Sequence, residues 1–273
     1  SPIGLEPGRT GYCTVARNRN LSARLVREIE RISVLDFSAS GELTPKVAAF
    51  RFLQVGSNDV CLLSRIRSSG YDYTNRTNYI AHHLIIDSAE IAGLPTPAQI
   101  LAHWDGLLDE WSENPRYLDE SSSPDLSSCG LDSSGRSITW FQWGGDEKSA
   151  EIPMRGKSIF RINPRDEERL LLLFAESSAK FESPDKAWQV PFTTFLQPKE
   201  DAADFVWIGG WANTPVDRIE IVQGANFFDL DPFDDEMAAL TLPPEEEAIV
   251  DSVLTEETAI AETPSASSDS QDR

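Results

Sequence analysis

The chain has 273 residues, of which 40% are hydrophobic, so it can bury a sizeable core in one large domain or two modest ones. Its formal net charge is −21, and the stretch from Asp229 onwards contributes 14 acidic residues against a single arginine. Nucleic acid is not expected as a partner, because an acidic chain without grouped lysines and arginines cannot drive counterion release from a phosphate backbone.

The first half of the chain, residues 1–118, is predicted to form an N-terminal α+β subdomain. A helix should begin at Ser22, because apolar residues recur three to four positions apart behind it. A second helix should begin after Thr96, where a proline and Gln99 complete a capping box, and we expect it to reach Trp111. Strand patterns occupy residues 12–16, 48–55, 60–67 and 77–86, with a hairpin turn at 56–59.

Residues 119–136 are rich in Ser, Pro, Asp and Gly and are predicted to form a surface loop or linker. A C-terminal α+β subdomain should follow over residues 137–228, either separate from the first or continuous with it. In it, Asn163 and the proline behind it should begin a helix that runs to about Phe181 and covers a sheet. Strand patterns occupy residues 137–143, 187–196, 205–211 and 218–224.

Residues 229–273 have the composition of a disordered acidic tail, because apolar residues become sparse and charge is high. The expected fold class is therefore α+β, with mixed or antiparallel sheets and a few packing helices, followed by this tail.

The cysteines and the hydropathy pattern indicate a cytoplasmic chain. Cys13, Cys61 and Cys129 are too few and too widely spaced for a disulfide framework, so reduced thiols are expected. No apolar run approaches the ~18–20 residues that cross a bilayer, and the first residues, SPIGLEPGRTGY, lack an export signal. We therefore expect no membrane segment in this chain.

Two histidines, His82 and His83, stand side by side in the strand predicted at 77–86. Neighbouring strand residues point to opposite faces, so the two cannot easily share a metal ion, and no zinc-like spacing accompanies them. The sequence therefore predicts no metal site. A buried, hydrogen-bonded histidine is the ordinary interpretation, and a role of one histidine in a ligand pocket stays open.

Cys13 raises the alternative of a small-molecule or thiol-dependent enzyme that uses Cys13, His82 and Arg17. The cysteine precedes a predicted helix, where a thiolate can be stabilised. The other interpretation is a small buried strand residue, which free cysteine very often is. The chain has neither the Gly-x-Ser-x-Gly turn of hydrolases nor a phosphate-binding glycine pattern, and no cofactor is predicted.

Arginines surround the predicted hairpin. Arg65 and Arg67 fall on the same face of their strand, which allows a small anion-binding patch because a guanidinium binds carboxylates and phosphates in bidentate fashion. The alternative is that they form structural ion pairs with the excess of acidic residues.

Three blocks within about residues 9–196, in the same order, resemble a known family. They are GRTGYCTVARNRNLSARLVREIERIS, CLLSRIRSSGYDYTNRTNYIAHHLII and LLLLFAESSAKFESPDKAWQVPFTTF. With their patterns G-x-x-TVAR, S-R-x-x-x-x-G-x-D-Y, N-Y-x-A-H and W-x-V-x-F-T-T, the chain resembles the N-terminal region of the GTPase-associated proteins of bacterial conflict systems. The residues matched are Thr14, Val15, Ala16, Arg17, Ser64, Arg65, Gly70, Asp72, Tyr73, Asn78, Tyr79, Ala81 and His82.

The resemblance implies a non-catalytic adaptor that works with a GTPase or another signalling or effector partner in a bacterial conflict-type system. It transfers no catalytic residue. It includes His82 but not His83, which favours His82 as the histidine with a special task. Pro191 departs from the family pattern and requires a strand edge or a bulge. The expected recognition surface extends from the loop between Arg65 and Arg76 to the strand of His82, and its binding residues are Arg17, Arg65, Asp72, Tyr73, Asn78 and His82.

Overall fold

The computed structural model of the protein describes residues 4–6, 12–35, 44–55, 58–71, 77–119, 124–129, 152–154, 156–219 and 225–230. The strand predicted at 137–143 and the part of the predicted tail from residue 231 lie outside the described residues. The strands are β1 Ala16–Asn18, β2 Val47–Val55, β3 Asn58–Tyr71, β4 Thr77–Asp87, β5 Arg116–Leu118, β6 Ser158–Ile162, β7 Phe192–Thr193, β8 Trp207–Trp211 and β9 Asn226–Asp229.

The helices fall between these strands, and together they confirm the predicted α+β class. The α-helices are α1 Ala23–Ile32, α2 Pro97–His103, α3 Glu167–Ala179 and α4 Pro184–Ala187, and short 3-10 turns occupy Ser127–Cys129, Ala202–Asp204 and Pro215–Arg218. No helix within the described ranges combines the length and the apolar character needed to span a membrane.

The other described elements are arranged around a seven-stranded mixed sheet. Its order in space is β4-β3-β2-β7-β8-β6-β9, and a separate two-stranded sheet pairs β1 with β5. The strands from β4 to β7 pair in antiparallel fashion, whereas β7, β8, β6 and β9 are parallel to one another. Strands from both halves of the chain therefore share one sheet, with Ala49 opposite Thr193 and Phe50 opposite Phe192.

The hairpin and the caps of the first half follow the sequence closely. β2 and β3 pair from Val47 opposite Ile66 to Val55 opposite Asn58, which confirms the predicted hairpin. Ser22 caps α1 by accepting a hydrogen bond from the Leu25 amide at 3.2 Å. These elements depend on local turn and cap chemistry, which the sequence displays directly.

The predicted first strand and the predicted end of α2 need correction. Strand β1 begins only at Ala16, the last residue of the predicted stretch, where pairing with β5 begins. The capping box of α2 is present, but the helix ends at His103 rather than near Trp111. Trp104 takes an extended conformation, and its ring lies so close to Gly106 that a Cβ there would be 2.3 Å from it. The extended backbone of Trp104 ends the helix, and the glycine at 106 leaves room for the indole ring.

In the second half, α3 confirms the predicted helix but begins three residues late. Asp166 is its N-cap, whereas Asn163 was expected. Arg165 has a φ of 84°, a left-handed conformation that no helix residue can adopt, so a turn separates Asn163 from the helix.

The strand predicted at 187–196 is mostly wrong. Helix α4 ends at Ala187, the first residue of this stretch, and only Phe192 and Thr193 are strand. Pro191 stands immediately before that strand, where its missing N–H costs no ladder hydrogen bond, and its carbonyl accepts from the Val206 amide at 2.8 Å. The strand predicted at 205–211 is confirmed as β8, whereas residues 215–218 form a 3-10 turn and residues 220–224 lie outside the described residues.

The two faces of the sheet are covered by different helices. On one face, Leu25 and Ile32 of α1 pack against Leu53 and Leu62. On the other face, Phe174 of α3 packs edge-on against Phe192 at a centroid distance of 5.3 Å, and α2 packs alongside α3. The candidate site residues are divided between these two faces.

Candidate functional site

Strand β4 divides the predicted site residues between the two faces of the sheet. In the β3–β4 register His82 lies opposite Arg65, and His83 lies opposite Ser64. Because side chains alternate along a strand, Asn78 and His82 share the face covered by α2 and α3, whereas Tyr79 and His83 share the face covered by α1.

His82 and Arg65 together hold the loop that follows α2. His82 accepts a hydrogen bond at Nδ1 from the Leu108 amide at 3.0 Å, and its ring packs edge-on against Trp104 at 5.8 Å. Arg65 donates through Nη2 to the Leu107 carbonyl at 2.7 Å and to Asp109 Oδ1 at 2.8 Å. The loop of residues 105–110, which we call the ridge loop, is thus fixed at three consecutive positions.

The ridge loop exposes an apolar side chain among acidic ones. Leu108 is 43% exposed although its own backbone amide is bound to His82. Asp105, Asp109 and Glu110 are exposed around it. Leu108 is thus an exposed apolar side chain on a loop whose backbone is held from below.

Burial keeps the supporting histidine neutral. The pKa of His82 is lowered, first by burial and then by the neighbouring Arg65 charge. A neutral imidazole can leave Nδ1 without a proton, and this is the form that accepts from the Leu108 amide.

Arg65 and Arg67 form ion pairs, as the second of the two interpretations predicted. Arg67 pairs with Glu168 at 2.5 Å and approaches Asp109 at 3.4 Å, and Lys46 pairs with Glu168 at 2.9 Å. Asp109 is therefore shared between the two arginines, which fixes the ridge loop a second time.

Glu167, at the start of α3, lies beside these charges but is itself only 2% exposed. Burial raises the pKa of Glu167 to about 7, against the opposing influence of its own backbone amide, the Trp211 indole and Lys46. The carboxyl group is therefore partly protonated near neutral pH, and it does not neutralise the arginines fully.

His83, which the family pattern leaves out, is held more tightly than His82. Ser33 at the end of α1 donates its hydroxyl to the Ile29 carbonyl at 2.6 Å, and the same oxygen lies 2.8 Å from His83 Nε2. His83 Nε2 must therefore carry the proton, and Nδ1 accepts from the Ser64 hydroxyl at 2.9 Å. His83 thus links α1 to β3, and the parity of the strand with Ser64 was the only sequence signal for it.

The protonation of His83 predicts a pH dependence of stability. Burial lowers the pKa of His83 in the folded chain to about 3, from an ordinary value of 6.5. As the pH falls below 6.5 the unfolded chain gains a proton that the folded chain refuses, so stability is lost between the two pKa values. Between pH 7 and pH 5 the native protein should lose about 2 kcal/mol relative to the His83→Asn variant.

Urea unfolding of both proteins at the two pH values measures this difference. The opposite contribution of Glu167, whose raised pKa favours the folded state as the pH falls, is present in both proteins and cancels. A stability difference that does not change with pH would contradict the neutral, doubly bonded His83.

Cys13 and Arg17 lie on the α1 side of the sheet. They line a small concavity together with Val26 and Glu30 of α1. Tyr12, the neighbour of Cys13, stacks on Tyr79 at 4.0 Å, on the face opposite to His82. The structure therefore does not bring Cys13 and His82 together.

Asn78 is the second residue of β4. The Asn78 carbonyl accepts from the Ser68 hydroxyl at 3.4 Å. Asp72 and Tyr73 lie outside the described residues. Among the described side chains, no group of three or more His, Cys, Asp or Glu residues is arranged to hold a metal ion.

A family model matches the first part of the chain. Residues 1–124 match the family GTPase-associated protein 1, N-terminal domain type 2. The match confirms the resemblance inferred from the sequence blocks, and its description indicates a GTPase-related role. No curated protein and no solved structure gives a match to the chain.

The matched segment includes all the predicted binding residues and also the ridge loop. It extends from β1 through α2 to β5, so the contact of His82 and Arg65 with residues 107–109 lies within it. The third of the resembling blocks, which contains Pro191, lies beyond the matched residues.

Proposed function

We propose that the chain is a non-catalytic interaction module that works with a GTPase or another signalling partner in a bacterial conflict-type system. The proposal depends on the contacts that His82 and Arg65 make with the ridge loop. Both side chains bind the ridge loop and leave Leu108 exposed. The description of the matched family, which names association with GTPases, supports the choice of partner class.

The docking surface is proposed to be the ridge loop, together with the hairpin residues that the sequence predicted to bind. Leu108 acts as the apolar anchor, and Asp105 and Glu110 form an acidic rim around it. Arg65 and His82 act as positioning residues. Asp72, Tyr73 and Asn78 keep the binding role predicted from the sequence, whereas Arg17, on the other face, would contact the partner only if it wraps around the sheet.

The chemistry of this surface defines a matching partner. An exposed leucine needs an apolar notch, and exposed carboxylates around it favour a rim of lysines and arginines on the partner. The matching GTPase is therefore expected to present a cationic rim around a hydrophobic depression.

A site-specific cross-linking experiment tests the proposal. A photoreactive p-benzoylphenylalanine in place of Leu108, in the full chain expressed in its native host, should form an adduct with a protein that contains a nucleotide-binding GTPase domain. The same substitution at Leu172, which is exposed on α3, is the matched control and should form no such adduct.

Two further variants separate direct contact from positioning. Leu108→Asp should weaken capture of the cross-linked GTPase by about tenfold or more, as loss of an interface anchor does. His82→Phe should weaken it as well, because the ridge loop loses its acceptor, while the Leu172→Asp control should leave capture unchanged. Equal adducts from both positions, or a Leu108 adduct without any GTPase, would contradict the proposal.

A further inference from the structure

The ion pairs beneath the ridge loop continue into the second half of the chain. We propose that Glu168, the second residue of α3, is a positioning residue for the ridge loop, because by binding Arg67 it leaves Asp109 to Arg65. The position of α3 thereby regulates the docking surface. This inference deepens the proposed docking function and rests on it, since it adds control by α3 to the same surface.

Two guanidinium groups compete for one oxygen of the ridge loop. Asp109 Oδ1 lies 2.8 Å from Arg65 Nη2 and 3.4 Å from Arg67 Nε. The shorter contact is a hydrogen bond, whereas Arg67 Nε is buried and makes no hydrogen bond with any of the described residues. Arg67 therefore keeps a buried donor close to an acceptor that Arg65 occupies.

Glu168 holds another part of the Arg67 guanidinium group. Its Oε1 lies 2.5 Å from Arg67 Nη1, and its Oε2 accepts a hydrogen bond from Lys46 Nζ at 2.9 Å. Burial opposes the charge of this carboxyl group, but Lys46 and Arg67 outweigh burial and lower the pKa of Glu168, so the group is ionised at neutral pH. Glu168 is therefore a charged competitor of Asp109 for Arg67.

Loss of the Glu168 charge would release Arg67 towards Asp109. Within the described part of the chain, Asp109 is the other carboxylate within 4 Å of Arg67. The two arginines lie close enough to repel each other, because burial and then the charge of Arg67 lower the pKa of Arg65. A released Arg67 would thus take Asp109 at the expense of the bond to Arg65.

A shift of Asp109 reaches the docking side chain directly, since Leu108 precedes it in the chain. The Leu108 amide donates to His82 Nδ1 at 3.0 Å, and the Leu107 carbonyl accepts from Arg65 at 2.7 Å. Moving Asp109 pulls against both of these bonds. The exchange rate of the Leu108 amide hydrogen therefore reports how firmly the ridge loop is held.

Helix α3 also contacts the start of α2, the helix that precedes the ridge loop. The hydroxyl groups of Thr96, the N-cap of α2, and of Ser178, near the end of α3, share a hydrogen bond of 2.7 Å, and both side chains are buried. α2 packs alongside α3. The unit of α2 and the ridge loop is therefore tied to α3 at both ends, by residues that lie beyond the matched family segment.

Hydrogen exchange of the Leu108 amide tests this control in the full chain without any partner. Glu168→Gln should speed exchange by about fivefold, as expected when one partly exposed ion pair is lost. The matched control Glu113→Gln breaks the exposed pair with Arg116, which is 2.9 Å long, and should leave the Leu108 amide unchanged. The amide of Leu63, inside the sheet, should change less than the Leu108 amide, which separates a local shift from a general loss of stability.

A second substitution distinguishes competition from simple support. If the released Arg67 draws Asp109 away, the double variant Arg67→Gln/Glu168→Gln should return the exchange of the Leu108 amide to nearly the native rate. Unchanged or slower exchange in Glu168→Gln would overturn the proposal. A double variant that exchanges as fast as Glu168→Gln, or faster, would overturn it as well.

The exchange experiment and the docking function can fail separately. In capture of the cross-linked GTPase, Glu168→Gln should weaken binding, and the double variant should restore it. The expected exchange rates without a GTPase adduct at Leu108 would contradict the docking function alone. A GTPase adduct at Leu108 together with exchange that does not respond to Glu168 would contradict control by α3 alone.

Discussion

Replacing Glu200 with alanine is expected to lower the free energy of unfolding by about 3–5 kcal/mol, the usual cost of removing one partner from a buried ion pair. Arg51 of β2 donates through Nη2 to Glu200 Oε1 at 2.7 Å, and the two side chains are only 7% and 10% exposed. The guanidinium also lies 5.0 Å from the centroid of the Phe205 ring. Without Glu200, Arg51 keeps its charge in a buried site and loses its ion-pair partner.

Urea unfolding followed by circular dichroism measures this loss. The matched control is Glu28→Ala, which breaks the exposed pair with Arg31 and should change the free energy of unfolding by less than about 1 kcal/mol. The double variant Arg51→Met/Glu200→Leu should recover much of the loss, because apolar side chains can replace a buried pair. A Glu200→Ala protein as stable as the Glu28→Ala protein would contradict the expected contribution of the buried Arg51–Glu200 pair to the free energy of unfolding.

The Gly209→Ala variant is expected to lose about 3 kcal/mol or more, at the upper end of what overpacking costs. A Cβ at this position would lie 2.3 Å from the Thr194 carbonyl oxygen and 2.4 Å from Leu170 Cδ2. The backbone cannot move aside easily, since the Gly209 carbonyl accepts from the Leu196 amide at 2.8 Å. A glycine in β8 is therefore required by the close approach of the neighbouring backbone.

The adjacent glycine provides the control for this variant. A Cβ at Gly210 would lie 2.8 Å from the Val216 Cβ, a side chain rather than backbone, so Gly210→Ala should be the milder change. Thermal unfolding of the two variants compares them under the same conditions. Equal melting temperatures would contradict the distinction between backbone and side-chain contacts.

Elements governed by local chemistry could be predicted, whereas most strands of the parallel part of the sheet could not, with the aromatic strand β8 as the exception. The hairpin turn, the Ser22 cap and the capping box at Thr96 all depend on residues a few positions apart. β6, in contrast, is buried on nearly every side and shows no alternation that distinguishes it from a buried helix. Short strands such as β9 depend on parallel pairing with a strand far along the chain.

The candidate site shows the same division. Arg65 and His82 could be selected from the sequence, and their position on one face follows from strand parity. Their partners at residues 107–109 could not, because the sequence predicted a helix through that loop. The hydrogen bond that ties His83 to α1 involves Ser33, which is 50 positions away in the chain.

The pairing of β2 with β7 has a consequence for where this molecule can be cut. The matched family segment ends at residue 124, but the ladder partner of Ala49 and Phe50 comes from residues 192–193. An excised fragment of residues 1–124 would carry an open inner strand and an uncovered phenylalanine ring, the features through which chains stick to one another. The segment that matches the family is thus smaller than the segment whose strands complete the sheet around β2.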